Sequence, residues 1–432
     1  MPIPITRLTL PNGLVLHLKE IHDAPLVSHW VWYRVGSRNE VPGRTGISHW
    51  VEHMQFKGTP DFPAGILDKA ISRTGGMWNA FTYLDWTTYF ETMPADTIDL
   101  GLRLEADRMT ASIYDPDEVE HERTVIISER EGDENEPLFR LGEAVQSASF
   151  DRHPYRSEVI GSQADLHHIT RDELYQHYRT YYQPGNAVVA VAGDFDTEAM
   201  IMRLRELYEK VPGGFTERLS LPPELPLESE RRVIVEGPGE TTFLQLAFRS
   251  PAASDPDFFA MTVLDSLLTG PTSLNMFGGG GVSNRTSRLY RTLVEGELAV
   301  SVHGGLPATI DPFTYDITIT VRPDKTADQV LAAVEKEIYL LQNTPVAEAE
   351  VARAIKQARA LFAYGSENIT NQGFWLGYAE MFASYAWFEN YLQQLEAVTP
   401  ADVQRVAQTR FTPNSRVTGI YLPTGNEEES HS

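Results

Sequence analysis

Hydrophobic and polar positions alternate in some stretches of the chain and follow a helical period in others. Alternation predicts two strands within residues 5–36, around a turn at Pro11, Asn12 and Gly13, and another pair of strands within 78–91. A helical period predicts helices over 46–56, 64–74, 96–110, 116–132, 255–269, 326–343 and 346–363. Because these helices and antiparallel strands are interspersed without a regular strand–helix–strand rhythm, they favour an α+β fold.

Two segments of the chain have the same layout. Thr170 begins TRDELYQHYRTYYQPGN, which precedes the alternating AVVAVAG, and Thr399 begins TPADVQRVAQTRFTPNS, which precedes VTGIYLP. In each segment a threonine followed by an acidic residue predicts the start of a helix. Pro184 and Pro413 each lie 14 residues after their threonine and lead into the strand. The shared spacing predicts an internal duplication.

The two copies lie on either side of a stretch rich in proline, glycine and charge, which is typical of an exposed linker. A chain of 432 residues is also too long for one ordinary domain. We therefore expect two homologous domains over 1–212 and 232–432, joined by a linker over 213–231. Each is expected to be a mainly antiparallel sheet packed with helices.

Composition removes several classes of function. With 36 basic and 60 acidic residues the net charge is −24, so the surface repels phosphate backbones and nucleic acid is not expected as a partner. The chain has no cysteine, which excludes disulfides, thiolate metal sites and cysteine nucleophiles. No apolar run approaches the roughly 18 residues of a membrane span. The N-terminus lacks a signal-peptide pattern, so we expect a cytoplasmic protein, with a periplasmic location left open.

Candidate chemistry is concentrated in the predicted helix 46–56, for which Thr45 is the expected N-terminal cap. His49 and His53 are four residues apart and share one face, and Glu52 lies about 60° around the helix from His49. Two imidazoles and a carboxylate in this pattern can hold a divalent metal and place a base beside its water. The spacing H-x-x-E-H is the inverse of H-E-x-x-H. The alternative is an amphipathic helix with two surface histidines and an ion-paired glutamate.

A third metal ligand is expected, because catalytic zinc usually takes three protein groups. The candidate is Glu129 in the predicted helix 116–132, where Glu122 lies seven residues earlier on the same face. Carboxylates buried against the histidines would need a cation to neutralise them. The alternative is a solvated acidic helix.

With these residues the sequence resembles the pitrilysin (M16) family of zinc metallopeptidases. The resemblance is closest to the short-chain branch that includes mitochondrial processing peptidase. It covers nearly the whole chain, in the segments LPNGL, GISHWVEHMQFKGT, NAFTYLDWTTY, ERTVIISE and HPY. It implies a zinc-dependent endopeptidase that hydrolyses unfolded or short peptides in a closed chamber. It also implies one zinc ion per chain, held by the first of two related domains.

Residue roles follow from the resemblance by position. His49, His53 and Glu129 correspond to the zinc ligands, and Glu52 corresponds to the general base. Glu122 corresponds to a second glutamate that supports the ligands from behind.

The expected peptide-binding strand also follows from the resemblance. Asn79 and Ala80 match the edge strand to which these enzymes pair their substrate. Pairing through the main chain suits a peptidase that recognises shape more than sequence.

One feature of the family is missing. Family members carry an arginine and a tyrosine in the second domain, and these positions fall on Val294 and Val300. We therefore expect a homologous partner subunit that supplies the pair in a heterodimer, with a homodimer as the alternative. Arg288, Tyr290 or Arg291 could instead act as a substitute.

Two other functions remain open at this point. Some relatives of this family are non-catalytic subunits of assemblies, although the intact motif disfavours that function here. A metal-dependent hydrolase of non-peptide amides is the other alternative.

Overall fold

The strands and helices of the chain lie close to their predicted positions. A computed structural model describes residues 4–214, 217–274 and 283–425, with only the backbone for 66–68. The strands are β1 (Thr6–Thr9), β2 (Val15–Glu20), β3 (Leu26–Tyr33), β4 (Met77–Thr82), β5 (Thr87–Pro94), β6 (Ala187–Gly193), β7 (Arg231–Gly237), β8 (Phe243–Arg249), β9 (Ala299–Gly305), β10 (Thr314–Val321) and β11 (Arg416–Pro423). The α-helices are α1 (Ile47–Met54), α2 (Ile66–Arg73), α3 (Asp99–Ala111), α4 (Pro116–Asp133), α5 (Pro137–Ser149), α6 (Gln163–His168), α7 (Arg171–Tyr181), α8 (Thr197–Tyr208), α9 (Asp257–Leu268), α10 (Ala327–Asn343), α11 (Glu348–Tyr364), α12 (Ile369–Phe382), α13 (Tyr385–Glu389), α14 (Tyr391–Glu396) and α15 (Pro400–Arg410). The seven predicted helices are therefore confirmed.

The prediction of two strands within 5–36 was wrong, because this stretch holds three. The additional strand is β3, whose sequence LVSHWVWY is buried on both faces along almost its whole length. A strand buried on both faces loses the alternation of apolar and polar residues by which half-buried strands are recognised.

The strands form two sheets of related topology. The first sheet has the order β1-β2-β6-β3-β5-β4 and the second β7-β11-β8-β10-β9. Neighbouring strands are antiparallel except β2 with β6 and β7 with β11, which are parallel. Without β1, the two orders and strand directions match one to one. The predicted α+β fold of two homologous, mainly antiparallel sheets is confirmed.

The duplicated segments have the same structure in both halves. Thr170 and Thr399 cap the helices α7 and α15, each through a reciprocal capping box with an acidic residue three positions later. A short 3-10 turn follows each helix, at Pro184–Asn186 and at Pro413–Ser415. The chain then enters β6 or β11, which lie at corresponding positions in the two sheets.

The compact units of the structure do not coincide with the duplicated halves of the sequence. The first unit takes Met1–Arg130, Ser157–Leu221 and Ser366–Phe388, and the second takes the remaining residues. Some helices therefore lie in the unit that is formed mainly by the other half of the chain. Helix α5 from the first half belongs to the second unit, and α12 with most of α13 from the second half belongs to the first.

Apolar contacts explain this exchange. In the first unit α12 lies on β3 and β6, where the rings of Trp30 and Trp32 lie 5.6 and 5.4 Å from that of Phe374. Gly373 and Gly377 face the two indoles, and a methyl group on either glycine would overlap them. In the second unit Leu141 and Val145 of α5 pack in a buried cluster with Val417 and Tyr421 of β11.

Residues of the linker make specific contacts within each unit. In the first unit the guanidinium of Arg38 donates to the carbonyl oxygen of Leu219 at 3.0 Å. In the second unit Glu224 accepts from the backbone N–H groups of Arg152 and His153 at 2.9 and 2.8 Å. Leu227 is buried in the core of that unit. The composition of the linker is typical of an exposed segment, but several of its residues make specific contacts within the two units.

In the described parts of the chain, no helix combines the length and the apolar content that crossing a bilayer requires.

Candidate metal centre

Helix α1 carries the two candidate histidines, and its first turn is stabilised by a residue outside the helix. The helix starts after Gly46, whose φ of 89° is in the left-handed region that favours glycine. The buried carboxylate of Glu40 accepts hydrogen bonds from the N–H groups of Gly46 at 2.8 Å and Ser48 at 2.9 Å. Burial raises the pKa of Glu40 to about 8, although these N–H donors act in the opposite direction. A carboxyl from outside the helix therefore satisfies its first turn.

The prediction that Thr45 caps this helix was wrong. The Thr45 hydroxyl donates to Asp165 at 2.6 Å and accepts from the N–H of Ser162 at 3.0 Å. Thr45 lies one residue before the capping position, which Gly46 occupies. No sequence pattern reveals that Glu40 takes over, because capping motifs describe only residues adjacent to the helix.

The structure brings together His49, His53 and Glu129. Both histidines lie on one face of α1, with their ring centres 4.6 Å apart. Glu129 comes from α4, and its Oε2 lies 4.0 Å from Nε2 of His49 and 3.6 Å from Nε2 of His53. One ligand atom from each of the three residues lies within 4.8 Å of the others. Two imidazole nitrogens and a carboxylate oxygen are the donor set that zinc prefers.

Glu122 orients one of these histidines. Its Oε1 lies 2.9 Å from Nδ1 of His53, which leaves Nε2 directed towards Glu129. Lys57 contacts the other carboxylate oxygen. Burial acts against the charge on both groups, but their hydrogen bond lowers the pKa of Glu122 and raises the pKa of His53. A carboxylate behind a metal-binding histidine fixes the ring and increases its basicity.

The residues fit a divalent cation in charge as well as in geometry. Burial lowers the pKa of His49 to about 3, so this imidazole is neutral and its nitrogen lone pair is available for a metal. Three carboxylates, from Glu52, Glu122 and Glu129, lie around the two histidines. Glu52 and Glu122 are buried and Glu129 is exposed, and a cation held among the three carboxylates would offset their mutual repulsion.

Glu52 is a buried carboxyl beside this cluster. It is only 8% exposed, and its Oε2 accepts a hydrogen bond from the Thr82 hydroxyl at 2.6 Å. Burial raises the pKa of Glu52 to about 7, although the Thr82 hydrogen bond acts in the opposite direction. A carboxyl that titrates near neutral pH can both accept and release a proton under physiological conditions.

Asn79 and Ala80 lie on β4, the edge strand of the first sheet next to β5. Asn79 is exposed, and its side-chain oxygen accepts from the backbone N–H of Ala80 at 2.9 Å. Helix α1 packs against this strand. Their role in binding a peptide stays a prediction.

The second unit contains helices that correspond to α1 and α4. Helix α9 follows β8 as α1 follows β3, and α11 takes the place of α4. The hydroxyl of Ser266 donates to the carbonyl oxygen of Ala354 at 3.2 Å and so joins α9 to α11. His53 and Glu122 join α1 to α4 at the corresponding position.

Matching these two contacts sets Ser266 opposite His53 and Ala354 opposite Glu122. Counting along the helices from these positions places Thr262, Asp265, Ser266, Ala354 and Leu361 opposite His49, Glu52, His53, Glu122 and Glu129. No imidazole remains at these positions. Across the described ranges, His49, His53 and Glu129 are the one group of three His, Asp or Glu side chains close enough to share a metal ion. The two halves of the sequence cannot be matched at this point by their motifs, because the segment TVLDS contains neither the histidines nor the glutamate of H-x-x-E-H.

The counterpart of the base gives a pH-dependent prediction. Burial raises the pKa of Asp265 to about 6, although the Thr269 and Tyr315 hydroxyls donate to it at 2.6 and 2.8 Å. The folded protein therefore keeps this proton to higher pH than the unfolded chain does. We expect its contribution to the free energy of unfolding to fall by up to about 3 kcal/mol between pH 4 and 7. In Asp265→Asn that decline should be absent when urea-induced unfolding is followed against pH. A difference from wild type that is constant with pH would contradict this prediction.

A second prediction concerns the ligand support. Glu122→Gln keeps an acceptor for His53 but removes the negative charge, so we expect zinc affinity to fall by about 10- to 100-fold. Competition with a chelating dye measures this change. Glu118→Gln, on the same helix, is the matched control and should bind zinc as the wild type does. Unchanged affinity in Glu122→Gln would show that its charge does not support the metal.

The positions that lack the family's arginine and tyrosine lie in the second unit. Val294 is in a π-helical turn, Tyr290–Glu295, and Val300 on β9 is 59% exposed. Arg288 is held by Glu350 through two hydrogen bonds of 2.8 and 2.9 Å. This pairing disfavours Arg288 as a substitute and leaves Tyr290 and Arg291 as the remaining candidates.

Two related units, one with a cluster of two histidines and a glutamate beside a buried glutamate, indicate a metallopeptidase. Family models agree with this assignment. Residues 15–163 match the model described as "Insulinase (Peptidase family M16)", and residues 168–358 match "Peptidase M16 inactive domain". The chain belongs to peptidase family M16.

Individual proteins show the same relationship. The chain is 29% identical over 414 residues to an uncharacterised zinc protease of Mycobacterium leprae, which covers 93% of this chain and 88% of that protein. It is 27% identical over 361 residues to a probable mitochondrial-processing peptidase subunit beta of Arabidopsis thaliana, covering 83% and 67%. A solved protease from Helicobacter pylori superposes with a TM-score of 0.88 at 25% identity, covering 97% and 99%. These relatives support a zinc-dependent peptidase.

Proposed function

We propose that this protein is a zinc-dependent endopeptidase that hydrolyses unfolded or short peptides. One observation carries the proposal: the ligand atoms of His49, His53 and Glu129 lie within 4.8 Å of one another. The buried carboxyl of Glu52 lies on the same helix as the two histidines. Together these residues would provide the metal site and the base that metal-assisted hydrolysis of a peptide bond uses.

The proposed ligands hold one zinc ion per chain, with Glu122 behind His53. When bound, zinc supplies Lewis acidity, which polarises a peptide carbonyl and makes water a stronger acid. The protein contributes a neutral His49 and an oriented His53 before the metal arrives.

Glu52 moves the proton in the proposed reaction. Its carboxylate takes a proton from the attacking water while the water oxygen bonds to the carbonyl carbon. It then delivers that proton to the nitrogen of the departing amine as the C–N bond breaks. The pKa of Glu52, raised to about 7 by burial, suits both steps near neutral pH.

An extended peptide is proposed to pair with β4 at Asn79 and Ala80. A free strand edge offers backbone donors and acceptors to any extended segment. Pairing of this kind requires that the substrate be unfolded or short, because a folded protein does not present a free strand. The N–H of Ala80 is bonded to the Asn79 side chain, so a peptide that uses this donor displaces that amide.

The partner prediction remains part of the proposal. The side chains of Val294 and Val300 cannot donate hydrogen bonds. We therefore propose a homologous subunit that supplies an arginine and a tyrosine in a heterodimer. A homodimer is the alternative, with Tyr290 or Arg291 in their place. A closed reaction chamber and a cytoplasmic location stay predictions as well.

The test is cleavage of a quenched, unstructured basic peptide by the purified chain, with and without zinc. Turnover that requires zinc supports the proposal. Turnover by a homodimer at full rate would discard the partner subunit, whereas activity only on small non-peptide amides would favour an amide hydrolase. Zinc binding without any hydrolysis, even with the homologous subunit added, would favour a structural subunit.

A further inference from the structure

We propose that Thr82 is a positioning residue that links the peptide-binding edge strand to the general base. This inference rests on the proposed function, because it assigns Glu52 the role of base and β4 the role of substrate strand. The residue acts through Glu52 and is not itself expected to touch the reacting atoms.

The linking contact is short and partly buried. Thr82 is the last residue of β4, and its hydroxyl donates to Oε2 of Glu52 at 2.6 Å. A hydrogen bond to an ionised carboxylate is stronger than one between neutral groups. Within the described residues, no hydrogen bond reaches the other oxygen of Glu52, Oε1. The bond therefore occupies one oxygen and leaves the second for proton transfer.

The end of the strand is itself fixed in place. Thr82 lies opposite Thr87 in the register of β4 and β5. The next residue, Tyr83, donates its N–H to the Trp86 carbonyl at 2.8 Å and accepts from the N–H of Ser37 at 3.2 Å. Gly36 lies so close to the Tyr83 carbonyl that no side chain fits there. A hydroxyl on such a rigid strand end can hold a carboxylate in one orientation.

This arrangement connects substrate register to catalysis. A peptide paired along β4 is placed relative to the same backbone whose last side chain holds Glu52. Strand β4 then positions both the scissile carbonyl, through pairing with the peptide, and the base, through Thr82. Displacement of a catalytic group by about 1 Å is enough to lower the rate by roughly 100-fold.

The alternative is that Thr82 only satisfies a buried carboxyl and stabilises the fold. Thr82→Val has the same shape without the donor, and Thr82→Ser keeps the donor. Thr88→Val is the matched control, because Thr88 on β5 also loses a hydrogen bond, to the Val31 carbonyl at 3.1 Å, away from Glu52.

The experiment measures kcat and KM for the quenched peptide, zinc content and Tm for the zinc-loaded chain and these variants. We expect Thr82→Val to lower kcat by about 10- to 100-fold, with KM within about twofold and zinc content unchanged. Thr82→Ser and Thr88→Val should retain kcat within about threefold.

Several results would overturn the inference. These are wild-type kcat in Thr82→Val, a loss of kcat that parallels a loss of zinc, or a loss as large in Thr82→Ser or Thr88→Val. If the wild-type chain cleaves peptide and Glu52→Gln does not, but Thr82→Val remains normal, this inference fails while the proposed function stands. If the wild-type chain hydrolyses no peptide with or without the partner, both fail.

Discussion

Replacing Glu52 with glutamine should lower kcat for peptide hydrolysis by about 100- to 10,000-fold while zinc stays bound. Glutamine has nearly the same size and its side-chain oxygen still accepts from the Thr82 hydroxyl, so the local structure should persist. It cannot take a proton from water at neutral pH. Kinetics with the quenched peptide and metal analysis of the same samples separate the loss of the base from a loss of zinc.

Glu348→Gln is the control for this experiment, because Glu348 is an exposed glutamate in the first turn of α11, in the second unit. It should have wild-type kcat and zinc content. If Glu52→Gln retained more than about a tenth of the wild-type kcat, Glu52 would not be the base.

Replacing His53 with alanine should remove both zinc and activity. The change deletes one of the three proposed donor atoms and also leaves Glu122 paired with Lys57 alone. The expected decrease in zinc affinity exceeds the roughly 10- to 100-fold that loss of a group behind a ligand causes. Zinc per chain after dialysis against a weak chelator, and hydrolysis of the peptide, are the two measurements.

His121→Ala provides the matched control. His121 is an exposed histidine on α4, the helix that also carries Glu129. This variant should keep one zinc per chain and normal kcat. A full complement of zinc in His53→Ala would place the metal elsewhere and remove the basis of the proposed mechanism.

Local patterns in the sequence were sufficient for much of the site. The four-residue spacing puts His49 and His53 on one face in any α-helix, whatever surrounds it. The helical period over 116–132 likewise places Glu122 and Glu129 on a shared face. The structure brings these residues together. The duplication was visible for the same reason, since its capping threonines and prolines are local signals.

Other features could not be predicted because they depend on residues distant in sequence. Glu40 caps α1 from outside the helix, and Thr82 reaches Glu52 across 30 positions. Asp265 can be compared with Glu52 only once the fold shows that α9 corresponds to α1. The exchange of α5 and α12 between the units was also hidden, because hydrophobic periodicity identifies an apolar face but not the surface that it covers.

The exchange of helices has a consequence for how the protein is made. The first unit needs α12 to cover Trp30 and Trp32, and α12 ends at Phe382 in a chain of 432 residues. During synthesis on the ribosome, the sheet beside the proposed metal centre therefore stays open until α12, which lies far beyond β3 in the sequence, has emerged. Partly made chains expose two tryptophans and lack a finished core, so they are targets for chaperones rather than early peptidases. The order of the chain thus delays completion of the core beside the proposed metal centre until α12 has been translated.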